Sequence, residues 1–270
     1  MFDASHVGVG DVIEPGQIAQ SKFKTQEGML IMYTFGGSGE SKPSMGDPNR
    51  VIKGSRMEIG VAVSQDGAHW SRIEGPMAHG SIIRPGEEGE FDHLFVAFPS
   101  VIEVGSEYKL FYHTYDANLK KYSVGLAVAT DGLLSWKKRG PVLTGGLDKN
   151  DFDYLGVTRR FVGQMEDGSL QMWYEGVSAN QVHSIGLACS LDGGYSWAKV
   201  FNEPVFAPGA DGTWDAGGVG SPHLVWLSDR RRWRMYYMGD PKDKTAGAPA
   251  LGVAESTDES GHSFIRLNVG

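Results

Sequence analysis

Residues 91–136 read FDHLFVAFPSVIEVGSEYKLFYHTYDANLKKYSVGLAVATDGLLSW. An aromatic-aspartate pair, Phe91-Asp92, opens the stretch, and an apolar run around Pro99-Ser100-Val101-Ile102 follows it. After a Gly105 turn comes the aromatic segment KLFYHTY from Lys109, and then VGLAVATDGLLSW from Val124. Each run is short, rich in Val, Tyr and Phe, and bounded by Gly, Asp or Ser, which is the pattern of successive β-strands joined by tight turns. The same order recurs elsewhere. Phe2-Asp3, Phe152-Asp153 and Trp214-Asp215 open the other copies, so consecutive openings lie 89, 61 and 62 residues apart. The second segment is LIMYTF from Leu30, LQMWYEG from Leu170 and WRMYYMG from Trp233. The third is IGVAVSQDGAHW, IGLACSLDGGYSW and LGVAESTDESGHSF. A short fourth strand follows, as at Trp70 to Ile73 and Trp136 to Arg139.

Four strands repeated in tandem over about 60 residues predict an all-β protein, a β-propeller of four-stranded antiparallel blades. Four blade repeats are countable, at approximately 2–75, 91–140, 152–200 and 214–267, within a single domain spanning 1–270. The surplus of the first repeat, 36–56, is dominated by Gly, Ser, Pro and Lys and reads as a long loop between second and third strands. The 38 glycines fit a fold with many tight turns. Ser190-x-Asp192-x-Gly194-x-x-Trp197 is an Asp-box, and Ser64 to Trp70 and Asp131 to Trp136 are its relatives. Because the phrase recurs, its Asp and Gly are expected to close a hairpin and its Trp to pack between sheets. The repeated Asp3, Asp92, Asp153 and Asp215 are likewise expected to make hydrogen bonds where the strands begin.

Lys plus Arg number 25 against 33 Asp plus Glu, a net charge of −8. Such a chain is a poor ligand for polyanions, so no nucleic-acid partner is expected. Arg230-Arg231-Arg232 reads as a hairpin tip. Cys189 is the single cysteine and reads as a small residue of an apolar strand. The opening MFDASHVGVGD has neither a basic nor an apolar leader segment, and no run nears about 18 apolar residues. The expectation is a cytoplasmic protein with no membrane partner.

On these segments, Phe91 to Trp136 above all, the chain resembles the arabinanase, invertase and levansucrase group of glycoside hydrolases, whose propellers are five-bladed. The resemblance implies a carbohydrate-active enzyme binding a glycoside or sugar-like small molecule in a central funnel. The group uses an aspartate base or nucleophile, an orienting aspartate and a glutamate acid. The slot after the proline holds Asp11, Ser100, Phe161 and His223 here. Two before it stand Gly8, Ala97, Thr158 and Gly220, and directly before it Val9, Phe98, Arg159 and Ser221. Only Asp11 keeps a carboxylate.

Residues that differ between repeats are therefore the functional candidates. Asp11 is a candidate base or orienting group. Glu175, at the slot shared with Thr34, His113 and Met238, is a candidate general acid if burial raises its pKa. His113 and His223 are candidates for proton transfer. His6, His93, Phe98, Tyr115, Arg159 and Arg160 are candidate substrate-binding residues, the arginines for a carboxylate, phosphate or sugar hydroxyl. As neighbours on one strand, Arg159 and Arg160 are expected on opposite faces. Phe95, Tyr154 and Trp173 join the aromatics that can stack on a sugar. No cofactor is expected, since no metal-spaced motif such as HExxH occurs. A metal shared by His93, His113 and His223 is the alternative. Two alternative functions stand beside hydrolysis: a lyase, isomerase or cyclase working through His and Arg, and a non-catalytic sugar-binding propeller.

Overall fold

The computed structural model describes residues 1–14, 28–39, 41–43, 51–243, 245 and 247–267. They form two compact units, Met1–Lys120 with Val124–Val142, and Lys121–Ser123 with Leu143–Gly270. The first unit carries the strands β1 (His6–Ile13), β2 (Leu30–Gly37), β3 (Ser41–Pro43), β4 (Val51–Lys53), β5 (Met57–Ser64) and β6 (Ser71–Ile73). Of these, β1-β2-β5-β6 make one four-stranded sheet. The expected loop 36–56 is partly ordered as strand: β3 and β4 pair as a ribbon, and 44–50 lie outside the described residues. A second sheet has the order β7 (Ala97–Val104), β8 (Glu107–Asp116), β9 (Lys121–Ala129) and β10 (Lys137–Thr144).

In the second unit, β11 (Gly156–Gln164), β12 (Leu170–Val177), β13 (His183–Ser190) and β14 (Ala198–Lys199) follow one another across a sheet. The strands β15 (Gly218–Leu227), β16 (Arg232–Asp240), β17 (Ala250–Ser256) and β18 (Phe264–Arg266) do the same. Four repeats in sequence thus give four runs of four consecutive antiparallel strands among the described residues, and Gly156 of β11 also pairs in parallel with Tyr122 of β9. A 3-10 turn at Ala78–Gly80 is the one helical element described. Among the described residues no helix is long and apolar enough to cross a membrane.

The repeated aspartates explain how each sheet is fastened. Asp92 accepts from the Tyr112 hydroxyl at 2.8 Å and pairs with Lys138 at 2.7 Å. Asp153 accepts from Tyr174 at 3.0 Å and pairs with Lys199 at 2.6 Å. Asp215 accepts from Tyr237 at 3.0 Å and pairs with Arg266 at 2.6 Å. Asp3 binds Arg72, on β6, through both oxygens. In every repeat the carboxylate just before the first strand holds a cation of the fourth, and in three it also holds the tyrosine of the second. A buried charge needs such partners, so the strand-start reading of these aspartates agrees with their geometry. Gly176 gives Asp153 its seat, since a Cβ there would lie 2.6 Å from the Asp153 Cβ.

The hairpins after the third strands are closed as expected. Asp192 Oδ1 accepts the Tyr195 and Ser196 amides at 3.0 Å each, and the Trp197 indole donates to the Gly194 carbonyl. In the first unit Trp136 also packs edge-on against Tyr33, with centroids 5.9 Å apart. The basic run lies at the β15–β16 turn, where Arg230 pairs with Glu255 and Arg231 with Glu259.

A second repeated feature positions side chains. Every first strand slips register against its second strand at the same place, between Val9 and Asp11, Ala97 and Ser100, Val157 and Arg160, and Gly220 and His223. Such bulges turn side chains out of the regular alternation and free a backbone N–H from the ladder. In β7 and β15 the bulge contains a residue before proline with left-handed backbone, Phe98 at φ 48° and Ser221 at φ 52°. Both steric rules disfavour that conformation outside glycine. The core of the second unit lies between its two sheets, where Trp173, Ile185 and Leu187 meet Leu224, Trp233 and Met235.

Candidate functional site

Glu175 belongs to β12, all of whose residues are buried. Its cross-strand partner on β13 is Ile185, and Val177 faces His183, so Glu175 and His183 are diagonal neighbours on one face. That face is the one whose Ile185 joins the core toward β15 and β16. The carboxylate is fully engaged there. Its Oε1 bonds His183 Nδ1 at 2.7 Å, and its Oε2 accepts the Ser221 backbone N–H at 2.6 Å. Thr158, in the β11 bulge, donates its hydroxyl to the Glu175 carbonyl at 3.4 Å. Arg159, in the same bulge, donates to the Ser221 hydroxyl at 2.8 Å. Gly220 leaves room for this group: a Cβ there would stand 2.4 Å from Oε2, so the carboxylate would have to move.

The electrostatics follow from these contacts. Burial pushes the Glu175 carboxyl up, but the His183 bond, the charges of His183 and Arg159 and the Ser221 N–H together hold it below the usual carboxylate value. The balance of these contacts favours the ionised form of Glu175, in which it accepts from His183 and the Ser221 N–H. His183 moves the opposite way. Its bond to Glu175 raises its pKa against partial burial, with further help from the charges of Glu175 and Asp240 and opposition from Arg159. The His183 side chain is 39% exposed. A carboxylate fixed on Nδ1 sets the ring's orientation and tautomer and leaves Nε2 as the nitrogen for proton exchange.

The other candidates of this unit stand as follows. Arg159, in the bulge, is exposed, and Arg160, which follows it, is buried. Arg160 donates to the Thr158 carbonyl at 3.0 Å. His223 lies edge-on to Phe161 at 5.2 Å, and desolvation lowers its pKa. Tyr154 lies under the Lys121 ammonium, and Trp173 is a core residue that donates to the Gly261 carbonyl.

In the first unit, Asp11 follows the β1 bulge and accepts two backbone N–H groups, Val101 at 2.8 Å and Val12 at 2.9 Å. It thereby ties β1 to β7. His113 is buried on β8 between Phe95, edge-on at 5.5 Å, and Phe98, stacked at 5.0 Å. Phe98 rests in turn on Phe35 at 4.1 Å. His93 Nδ1 donates to the Glu90 carbonyl at 2.9 Å. His6 is exposed at the start of β1, and Tyr115 is half-buried on β8. Among the described residues no group of three His, Cys, Asp or Glu side chains is placed to hold a metal ion.

Sequence reasoning did not single out His183, Ser221 or Asp240. For His183 a signal existed. Two residues before the third-strand phrase the repeats have Met57, Tyr122, His183 and Pro249, so the histidine is the odd polar residue of its slot. Ser221 acts largely through its backbone, which no side-chain comparison reveals.

No family model matches the chain, and no curated protein matches it in sequence. Solved structures match it in fold. Zg3597, a family 117 glycoside hydrolase produced by the marine bacterium Zobellia galactanivorans, superposes with TM-score 0.69 at 16% identity, over 97% of this chain and 70% of that one. A thermostable family-43 glycoside hydrolase gives 0.62 at 14% identity, over 99% and 74%. The β-1,2-mannobiose phosphorylase from Listeria innocua gives 0.62 at 14% identity, over 96% and 76%. The chain thus has the fold class of the β-propeller glycoside hydrolases, built from four-stranded antiparallel blades. At these identities the likeness is one of fold.

Proposed function

We propose that the chain is a carbohydrate-active enzyme of the glycoside-hydrolase kind, acting on a glycoside or sugar-like small molecule, with Glu175 and His183 as its proton-transferring pair. The observation that carries this reading is the 2.7 Å bond between Glu175 Oε1 and His183 Nδ1. On it, His183 is the group that meets substrate. Its imidazolium donates the Nε2 proton to the departing glycosidic oxygen as the C–O bond breaks, water adds to the anomeric carbon in its place, and the proton that water sheds returns to the neutral imidazole. Glu175 stabilises the charged ring without taking the proton itself, and so acts as a positioning residue. Arg159, exposed beside the pair, offers guanidinium donors to a substrate hydroxyl or anionic group.

The use of an imidazole and a guanidinium, in place of two carboxylates at the separation hydrolysis ordinarily needs, favours a second reading. In it the same pair moves a proton on a sugar-like acid without hydrolysis. One experiment separates the readings. Wild type and His183→Asn are incubated with a panel of aryl glycosides, oligosaccharides with and without phosphate, and uronic acids, and the products are identified. Released sugar or sugar phosphate, falling about 100-fold or more in the variant, supports the first reading. An unsaturated or isomerised product supports the second. Equal turnover by both proteins refutes the assignment of His183.

A further inference from the structure

We propose that Ser221, in the strained bulge of β15, is a positioning residue for the Glu175–His183 pair, holding the carboxylate with its backbone and Arg159 with its side chain. The inference rests on the reading of that pair as the working site. It starts from a backbone outlier. Ser221 has φ 52° and precedes Pro222, a sparsely populated conformation that persists only where its surroundings demand it. Phe98 before Pro99 has the same conformation in the matching bulge of β7, so the backbone device belongs to the scaffold. The two residues use it differently. Phe98 places a ring between Phe35 and His113. Ser221 points its N–H at Glu175 Oε2, 2.6 Å away, and its Oγ accepts from Arg159 at 2.8 Å.

The bulge is what releases this N–H. The β15–β16 register runs Gly220 opposite Met238 and then His223 opposite Tyr236, so Ser221 and Pro222 stand outside the ladder. Pro222 has no N–H of its own. Gly220 completes the seat by leaving room for the carboxylate. Three successive residues thus serve one anion: a missing side chain, a free backbone donor and a ring that fixes the turn. The groups bearing on His183 are Glu175 from β12, Arg159 from β11 and Asp240 from β16. Ser221 contacts two of these three, so its geometry sets the field in which the imidazole titrates.

The test is the titration of His183, followed by the imidazole resonances of the full chain without substrate. In Gly220→Ala the new methyl displaces the carboxylate while every charged group remains, and Gly220 is not in the left-handed region, so alanine fits its backbone. The His183 pKa then falls toward or below its ordinary value of about 6.5, as it also does in Glu175→Gln. In Ser221→Gly the N–H remains and only the Arg159 anchor is lost, so the pKa stays raised. A His183 titration in Gly220→Ala identical to wild type overturns the inference. Should that variant fail to fold, wild type alone decides. The Ser221 amide proton lies downfield and loses that shift on acidification, with the midpoint of Glu175; an amide that does not follow Glu175 overturns the inference equally. Absence of turnover on every glycoside ends the proposed function and leaves both readouts in force.

Discussion

Asp153→Ala is the sharpest test of how the sheets are fastened. The carboxylate is buried and serves three donors: Lys199 at 2.6 Å, the Tyr174 hydroxyl at 3.0 Å and the Gly146 N–H at 2.9 Å. Removing it strands an ammonium that is only 26% exposed and a fully buried phenol. Breaking a buried pair from one side costs about 3–5 kcal/mol, and the partial exposure of Lys199 puts the value near the lower end. At roughly 2–4 °C per kcal/mol for a chain of this size, the melting temperature falls by roughly 6–12 °C. The control is Asp211→Ala. Its pair with Lys242 has a similar length, 2.7 Å, but the side chains are 83% and 68% exposed. That loss is below about 1 kcal/mol. Urea and thermal unfolding of the two variants beside wild type measure both effects. Equal, small losses would refute the claim that the repeated aspartates fasten the outer strands.

Three further outcomes are expected. Glu175 lies below its ordinary 4.5 when folded, so its stabilisation is complete above that value and is lost as pH falls through the lowered one. His183 lies above its ordinary 6.5, so its share is complete below that value and is lost as pH rises through the raised one. The stability difference between wild type and Glu175→Gln, from urea unfolding across the pH range, is therefore largest between these two ordinary values and shrinks on either side. Asp192, whose carboxyl is held at about 2 by the Ser196 hydroxyl and amide, closes its hairpin. Asp192→Ala speeds hydrogen exchange at Tyr195 and Ser196 and leaves the His183 titration unchanged; unaltered exchange would contradict the hairpin role. Burial raises the Cys189 thiol, so a disulfide reagent near neutral pH labels the folded chain more slowly than the urea-unfolded chain, and equal rates would count against the fold placing it so.

The architecture was legible because it is written four times. Phe91-Asp92, the aromatic second strand and the Gly-Asp hairpins recur in order, and repetition separates scaffold from the rest without any knowledge of contacts. It assigned Asp3, Asp92, Asp153 and Asp215 to the strand starts, where they bind the fourth-strand cations. The same contrast picked out Glu175 and Arg159 as odd residues of their slots. It did not give the sign of the Glu175 shift, because burial and hydrogen bonding oppose each other and only the coordinates show which prevails. The β3–β4 ribbon inside 36–56 was hidden by a Gly- and Pro-rich composition that a single short hairpin tolerates. Ser221 was hidden for a deeper reason. Its contribution to Glu175 is a backbone N–H freed by a bulge, and every residue but proline carries that donor.

The most direct test is a crystal structure of the chain soaked with a mixed panel of monosaccharides and small acids. The account predicts a ligand oxygen within hydrogen-bond distance, about 2.6–3.2 Å, of His183 Nε2, with Arg159 on the same molecule and the Glu175–His183 bond intact. Density for a sugar bound elsewhere, with His183 and Arg159 untouched, would contradict it.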